Sequence, residues 1–177
     1  MMRWQIARRN RRRGEPELSL LPTLVPRDKC SVDIGAYLGA YTEVLLNTST
    51  NVYVFEPQSF CNNFLRRAYG TSIHLYEHAL SDYDGIGYIS SEGKSLSQGA
   101  RVLPSSEASN VDEKVSVRCL DSFDLRNIGF VKIDAEGHEL AILKGALATL
   151  KREKPLLLVE IEQRHSPRPI QDTFDWL

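Results

Sequence analysis

The sequence predicts an α/β domain in which a mostly parallel sheet is covered by helices on both faces. Three observations support this fold class. Short apolar runs alternate along the chain with segments whose apolar residues recur at helical spacing. The strand-like stretch 31–34 runs into a glycine-bearing turn and then into an apolar helix. Residues 155–161 are almost continuously apolar, which is typical of a parallel strand that is covered on both sides.

Length and composition set outer limits on the class of protein. The 177 residues are 42% hydrophobic and 25% charged, which is ordinary for one globular domain. The net charge of −1 argues against a domain-wide surface for nucleic acid. Cys30, Cys61 and Cys119 are too widely spaced for a zinc motif or a disulfide framework, and they predict reduced thiols. With no secretory segment and no apolar run that could cross a bilayer, the sequence predicts a cytoplasmic protein.

The chain is predicted to divide into a flexible tail, residues 1–14, and a folded domain, residues 15–177. The tail is rich in arginine, at Arg3, Arg8, Arg9, Arg11, Arg12 and Arg13. A solvated terminus accounts for this composition best. The alternative is a patch for nucleic acid or for an anionic membrane.

The elements of the domain follow from apolar spacing and from turn residues. A short apolar segment at 18–25 is predicted to cover the sheet. Strands are predicted at 31–34, 52–55, 73–80, 87–89, 115–119, 130–133 and 155–161. Helices are predicted at 40–45, 57–69, 140–151 and from Ile170 onwards. Pro57 suits a first helical turn and Gly70 a helix end, whereas the polar stretch 90–114 is predicted to be a long loop.

The turn after the first strand is predicted to bind a ligand. Gly35 and Gly39 allow close approach to the backbone, and the helix behind them offers free N–H groups. Asp33 ends the strand and is expected to point into the ligand space. A carboxylate there repels a pyrophosphate and suits a cationic ligand, such as the ammonium group of S-adenosyl-L-methionine. The glycine spacing G-x-x-x-G also differs from the G-x-G-x-x-G of dinucleotide-binding proteins.

Further carboxylates follow the other predicted strands. Glu56 ends the second strand, about 20 positions after Gly35, where an acid can accept hydrogen bonds from ribose hydroxyls. Alone it could be a solvated strand end, but its spacing from the Asp33 turn favours the ligand interpretation. Glu160 and Glu162 end the last strand. Acidic side chains are therefore expected to gather at one edge of the sheet.

The stretch 134–139 concentrates carboxylates and one imidazole behind a predicted strand. Helix capping is the simplest interpretation. Metal binding is disfavoured, because neighbouring positions on one turn aim too few oxygens at one point. His138 as a general base is the better chemical interpretation. The other histidines, His74, His78 and His165, are interpreted as sheet-edge or surface residues.

Taken together, these motifs resemble the FkbM family of S-adenosylmethionine-dependent methyltransferases. The resemblance covers roughly residues 30–165 and rests on the stretches 32–36, 54–57, 79–82, 131–139 and 144–145. It implies a Rossmann-like class I methyltransferase fold. It also implies S-adenosyl-L-methionine as cofactor and methylation of a hydroxyl on a sugar, polyketide or similar small acceptor.

The resemblance also implies roles for residues along the first strand and its turn. Asp33, Gly35, Ala36 and Gly39 would line the methionine part of the cofactor. Asp134 would lie near the methionine amine and the acceptor. Both roles depend on the family pattern and not on spacing alone.

Other parts of the cofactor would contact different strands. Glu56 would hold the ribose, and Ala79 and Leu80 would lie beside the adenine. Two departures from the family pattern stand out. Tyr37 replaces a residue that is commonly Asn in the family, so its ring would narrow the cofactor site. The chain also ends before the strands that usually follow the fifth core strand, which predicts an incomplete sheet.

The leading hypothesis is direct methyl transfer from a sulfonium to an oxygen, with Asp134, Glu136 and His138 as catalytic candidates. The first alternative is a truncated, non-catalytic module that at most binds the cofactor. A second alternative, RNA methylation, is suggested by the arginine-rich tail. An NAD-dependent oxidoreductase is the weakest alternative, because the dinucleotide fingerprint is absent.

Overall fold

The computed structural model describes residues 16–90, 101–103, 113–164, 166 and 169–177. The predicted arginine-rich tail lies outside the described residues, as do most of the predicted loop at 90–114 and His165.

The described residues form strands and helices that alternate as predicted. The strands are β1 (Cys30–Ile34), β2 (Val52–Phe55), β3 (His74–Tyr76), β4 (His78–Leu80), β5 (Gly85–Ser90), β6 (Arg101–Leu103), β7 (Glu113–Arg118), β8 (Ile128–Ile133) and β9 (Leu156–Val159). The α-helices are α1 (Leu21–Leu24), α2 (Ala40–Leu45), α3 (Ser59–Tyr69), α4 (Glu139–Gly145), α5 (Leu147–Glu153) and α6 (Gln171–Trp176). Short 3-10 turns lie at Pro16–Ser19, Gly70–Ser72 and Leu120–Phe123.

The main sheet has five parallel strands in the order β3-β2-β1-β8-β9. The chain first builds outward from β1 through β2 to β3, and it later returns to the other side of β1 with β8 and β9. The strand order therefore reverses between β1 and β8. In parallel sheets, ligands bind at the carboxyl ends of the strands beside such a reversal.

Side chains of the main sheet alternate between two core layers. Val32 and Ile34 of β1 pack in one layer with Leu143 of α4, and α5 and α6 add partly buried side chains to it. The opposite layer joins Leu45 of α2 and Leu65 of α3 to the sheet, with α1 alongside. Helices cover both faces, so the structure confirms the predicted α/β class with a mostly parallel sheet.

The predicted third strand, residues 73–80, is divided between two sheets. Its first part is β3 of the main sheet, and its second part, β4, begins a four-stranded sheet in the order β4-β7-β5-β6. Glu77 separates the two parts and is exposed. Residues 101–103 of the predicted long loop form β6, which pairs antiparallel with β5. Apolar content alone did not indicate that the chain changes sheets at Glu77.

The predicted helix 140–151 is two helices that meet at Ala146, which is 1% exposed. Helix α4 ends at Gly145, where an added Cβ would lie 1.9 Å from the backbone oxygen of Ser81. Gly145 thus allows the helix to contact the chain just after β4. Because residues on both sides of Gly145 favour a helix, the break between α4 and α5 was not predicted.

The apolar run 155–161 was expected to be covered on both faces. Instead β9 is the last strand of the described main sheet, and Leu156 is 44% exposed. Cys30, Cys61 and Cys119 are free thiols, as predicted. Within the ranges that the structure describes, every helix is too short or too polar to cross a membrane.

Candidate functional site

A cavity of about 550 Å³ opens at the carboxyl ends of β1, β2, β8 and β9, where the strand order reverses. This volume lies within the range of about 300–1,000 Å³ that small-molecule sites occupy. The predicted site residues that line the cavity are Gly35, Tyr37, Glu56, Ala79, Leu80, Asp134, Glu136 and His138. The structure thus brings together positions that are up to about a hundred residues apart in the sequence.

Asp33 does not line this cavity. Its side chain is 0% exposed, and its Oδ2 accepts a hydrogen bond from the Thr42 hydroxyl of α2 at 2.6 Å. Alternation along β1 directs Asp33 toward α2, whereas Val32 and Ile34 face the opposite layer. The expectation that this carboxylate points into the ligand space is therefore corrected, because Asp33 lies beneath the cavity wall.

Lys132 is a cavity residue that sequence reasoning missed. It is the register partner of Asp33 between β1 and β8, so the two side chains share one face of the sheet. Its Nζ donates to the Gly35 carbonyl at 2.8 Å and lies 3.3 Å from Asp134 Oδ2 and 3.6 Å from Asp33 Oδ1. Burial alone lowers the pKa of Lys132, but the carboxylates of Asp33, Asp134 and Glu56 outweigh burial and raise that pKa above its ordinary value.

One sequence signal pointed to Lys132: a lysine inside an otherwise buried, apolar strand. All six residues of β8 are buried, and Lys132 itself is 3% exposed. A buried ammonium group requires anionic partners. Identifying Asp33 as a partner, however, required the register between β1 and β8.

Both carboxylate oxygens of Glu56 accept hydrogen bonds from backbone N–H groups. Oε2 accepts the Tyr37 N–H at 2.8 Å, and Oε1 accepts the Gln58 N–H at 2.9 Å. The side chain is 2% exposed, and burial raises its pKa despite these two hydrogen bonds. An ionised carboxylate has about four acceptor positions, so two remain for ligand hydroxyls.

Tyr37 has a left-handed backbone, with φ +49°. L-residues pay a steric cost in this conformation, and Asn pays less than most. The resemblance implies Asn at this position, and Asn would have a smaller steric cost there than Tyr37. Tyr37 lines the cavity, and its N–H fixes Glu56.

Gly35 is required by the chain itself and not by ligand approach alone. Its φ is +70°, and an added Cβ would lie 1.8 Å from the backbone oxygen of Asp134. Ala36 and Gly39 are not among the residues that line the cavity, and their expected contact with the cofactor stays a prediction. Ala36 packs in the core layer beside α2, and the Gly39 carbonyl accepts the Tyr69 hydroxyl at 2.9 Å.

The turn between β8 and α4 is closed by its own side chains. Glu139 Oε1 accepts the N–H groups of Ala135 and Gly137 at 3.3 Å and 2.9 Å, which closes the turn before α4. Helix capping was expected from Asp134 or Glu136, but the N-cap residue of α4, His138, makes no side-chain capping hydrogen bond. His138 Nε2 lies 2.9 Å from the Ser81 hydroxyl, which in turn donates to Asp82 at 3.2 Å. Ser81 is 1% exposed. Among the described residues, no group of three or more His, Cys, Asp or Glu side chains is placed to hold a metal ion.

Charged groups after β9 form the outer edge of the cavity. Burial, together with Asp134, Glu162 and Glu136, raises the pKa of Glu160 to about 7, and Lys132 opposes this shift. The Arg164 guanidinium pairs with Glu162. His78, interpreted from the sequence as a sheet-edge or surface residue, also lines the cavity.

The electrostatic balance of the site is negative. The buried Lys132 ammonium faces the carboxylates of Asp33, Asp134 and Glu56, so one positive charge is set against three acids. Such an environment favours a ligand that carries positive charge. The arrangement can therefore bind a cationic ligand with hydroxyl groups.

Comparison with known proteins agrees with this geometry. Residues 33–177 match the model of the methyltransferase FkbM domain. The hexuronic acid methyltransferase AglP of Haloferax volcanii is 30% identical over 164 residues, which cover 89% of this chain and 66% of that protein. The chain thus spans slightly less than two thirds of this relative.

Solved structures show the same fold. A methyltransferase FkbM from Methylobacillus flagellatus superposes with a TM-score of 0.60 at 19% identity, over 84% of this chain and 36% of that one. An rRNA methylase from Streptococcus thermophilus gives a TM-score of 0.51 at 9% identity, over 90% of this chain and 75% of that one. The match to the family model covers most of the chain, and the chain therefore belongs to the FkbM methyltransferase family.

Proposed function

We propose that this chain binds S-adenosyl-L-methionine and transfers its methyl group to a hydroxyl oxygen of a sugar or similar small acceptor. The observation that carries the proposal is the negatively charged cavity at the strand reversal of a methyltransferase-family sheet. The cofactor is cationic at its sulfonium and ammonium groups, and the cavity supplies a matching excess of carboxylates.

The residues of the cavity fit the parts of this cofactor. Glu56 has acceptor positions left for the ribose hydroxyls after binding two backbone N–H groups. Ala79 and Leu80 provide an apolar surface for the adenine. Gly35 and Asp134 lie on the side where the resemblance places the methionine part. Asp33 lies outside the cavity and contributes to the site through its ion pair with Lys132.

When bound, S-adenosyl-L-methionine supplies a methyl group on a positively charged sulfur. The contribution of the protein is mainly to align the acceptor oxygen with that group. Asp134, Glu136 and His138 all line the cavity. We propose that Asp134 or His138 accepts the hydroxyl proton and that Glu136 orients the acceptor.

The sugar acceptor is supported by the Haloferax relative, which is a hexuronic acid methyltransferase. A polyketide or similar hydroxyl compound is the alternative acceptor class. A cofactor-binding module without turnover is the alternative function. Incubation of the protein with the cofactor and a panel of neutral and acidic sugars tests these proposals: acceptor-dependent formation of S-adenosyl-L-homocysteine supports transfer, and its absence with every acceptor favours the binding module.

The cofactor proposal is tested by calorimetry with S-adenosyl-L-homocysteine. We expect wild-type protein to bind and Glu56→Gln to bind about tenfold more weakly, because one charged acceptor is lost. The matched control is Glu77→Gln, which removes an exposed carboxylate outside the cavity and should bind like wild type. No heat with folded wild-type protein, or equal affinities for Glu56→Gln and wild type, contradicts the proposal.

A cytoplasmic location is proposed from the cysteine usage.

A further inference from the structure

We infer that Glu17, from the segment that precedes the first strand, binds the ammonium group of the cofactor's methionine part. The inference rests on the proposed function and names a contact within the same cavity. Glu17 lies before residues 33–177, which match the family model. The contact would therefore come from outside the part of the chain that the family model describes.

Glu17 is held at the cavity by its own segment and by α2. It lies in the 3-10 turn Pro16–Ser19 and lines the cavity together with Tyr41. Its Oε1 accepts the Tyr41 hydroxyl at 2.8 Å. The next residue, Leu18, is 2% exposed and packs in the same core layer as Tyr41. The backbone of the turn is thus anchored, and the carboxylate is directed to the cavity.

Tyr41, the hydrogen-bond partner of Glu17, orients the Glu17 carboxylate but does not neutralise its charge. A tyrosine hydroxyl is a neutral donor, and it satisfies only one of about four acceptor positions on a carboxylate. The Tyr41 ring lies 4.9 Å from Lys132 Nζ at its centroid. Tyr41 therefore separates the Glu17 carboxylate from the buried ammonium group, which keeps the carboxylate available to a second cation.

The other carboxylates of the site are already engaged. Asp33, which the sequence predicted for this role, is fully buried and accepts the Thr42 hydroxyl. Asp134 faces Lys132 at 3.3 Å. Each oxygen of Glu56 accepts a backbone N–H, and its remaining acceptor positions are the ones proposed for the ribose hydroxyls.

The two remaining acidic side chains are placed differently. Glu136 and Glu160 belong to the side of the cavity formed by β8 and β9, with Glu160 next to Glu162 and Asp134. Glu17 lies on the α2 side of the cavity, where it accepts the Tyr41 hydroxyl. Helix α2 follows the turn after β1, where the resemblance places the methionine part of the cofactor.

The test compares two nucleosides that differ in the amino-acid part. S-adenosyl-L-homocysteine carries the ammonium group, and 5′-methylthioadenosine lacks it. We expect Glu17→Gln to weaken binding of S-adenosyl-L-homocysteine by about tenfold, as when a charged hydrogen bond becomes neutral, and to change 5′-methylthioadenosine affinity less than about twofold. Glu17→Asp, which keeps the charge, should retain part of the preference for S-adenosyl-L-homocysteine.

Two control variants complete the design. Tyr41→Phe removes only the hydroxyl that orients Glu17 and should reduce the same preference by a smaller factor. Glu43→Gln removes a carboxylate from the first turn of α2 that does not line the cavity, and its affinities should match wild type. Circular dichroism establishes that each variant is folded at the temperature of the titration.

The outcomes separate the two proposals. If wild-type protein binds neither nucleoside, both the proposed function and this inference are overturned. If wild-type protein binds S-adenosyl-L-homocysteine but Glu17→Gln binds it equally well, only the inference is overturned. The same holds if Glu17→Gln weakens both nucleosides by the same factor, because the carboxylate would then act on the shape of the cavity and not on the ammonium group.

Discussion

Two groups of charged residues serve the same cavity and differ in construction. The inner cluster, Asp33, Glu56 and Lys132, is 0%, 2% and 3% exposed and is held by neighbouring strands and by backbone groups. The rim cluster, Glu160 and Arg164, follows the edge strand β9 and is more open to solvent, although neighbouring groups partly desolvate Glu160.

The difference between the inner cluster and the rim cluster indicates that they have different roles in the site. In the inner cluster, opposite charges stand side by side, so the charge on Lys132 is stabilised. In the rim cluster, carboxylates stand near one another, and burial with like charges brings the pKa of Glu160 to about 7. The inner cluster is suited to holding a fixed shape and charge. The rim cluster is suited to gaining and losing a proton near neutral pH.

Lys132→Met breaks the inner cluster and should have the largest effect. It leaves the buried Asp33 carboxylate without its cation and the Gly35 carbonyl without its donor. We expect the free energy of unfolding to fall by about 3–5 kcal/mol, as is usual when one partner of a buried ion pair is removed. Urea unfolding followed by circular dichroism measures this change.

The matched control for that variant is Lys144→Met, at an exposed position in the last turn of α4. Its effect should stay within about 0.5 kcal/mol. Adding Asp33→Asn to Lys132→Met should recover part of the lost stability, because the uncompensated charge is removed. A double variant that is less stable than Lys132→Met alone would show that the ion pair is not the cause.

Ser81→Ala tests whether the turn after β8 is held in place as firmly as the inner cluster. The Ser81 hydroxyl donates to Asp82, so His138 Nε2 must donate to Ser81, which selects the Nε2–H tautomer of the imidazole. We expect a loss of about 1 kcal/mol in stability and a smaller fraction of that tautomer. Nitrogen NMR of the imidazole measures the tautomer, and urea unfolding measures the stability.

The control is Ser122→Ala, which removes an exposed hydroxyl that donates to the Cys119 carbonyl. It should leave the His138 tautomer unchanged. An unchanged tautomer in Ser81→Ala would show that the Ser81 hydroxyl does not fix the imidazole of His138.

Glu160→Gln tests the rim cluster and should have the smallest effect. The folded-state pKa of Glu160, about 7, lies above the ordinary value of 4.5, so this group reduces stability as pH rises from about 4.5 through 7. Removing it should raise stability at pH 8.5 by less than about 1 kcal/mol, since solvent screens an exposed group. No gain is expected at pH 4.5, where the side chain is largely neutral in the folded protein.

Thermal unfolding at both pH values measures that difference. The groups that act on Glu160 are Asp134, Glu162 and Glu136, which raise its pKa, and Lys132, which lowers it. Glu77→Gln serves as the control, because it breaks a surface pair with Arg66 and should give no gain at pH 8.5. Equal pH dependence in Glu160→Gln and wild type counts against the assignment of this titration to Glu160.

Much of the fold could be predicted because the main strands carry local signals. The apolar runs of β2, β8 and β9 are each followed by an acid, and these three strands lie in the main sheet with β1. The division of residues 73–80 could not be predicted, because both halves have strand-like composition. The break at Ala146 depends on a contact with Ser81, which lies far away in the sequence.

The site was predictable where a residue follows the end of a strand. Glu56 and Asp134 line the cavity for that reason. The position of Asp33 was wrong because its side chain faces α2, and alternation along a strand can be assigned to faces only after the neighbouring elements are known. The pairing of Asp33 with Lys132 depends on register between two strands. Glu17 reaches the site from a segment with no recognisable motif.

The close backbone contacts at Gly35 and Gly145 have a consequence for protein engineering. A side chain at either position would occupy the place of a backbone oxygen, at 1.8 Å and 1.9 Å respectively. A mutant library of the cavity should therefore keep both glycines and vary Glu160 and Arg164, which are exposed and line the cavity. Diversity would then be concentrated where the chain tolerates it, and most clones of the library would still fold.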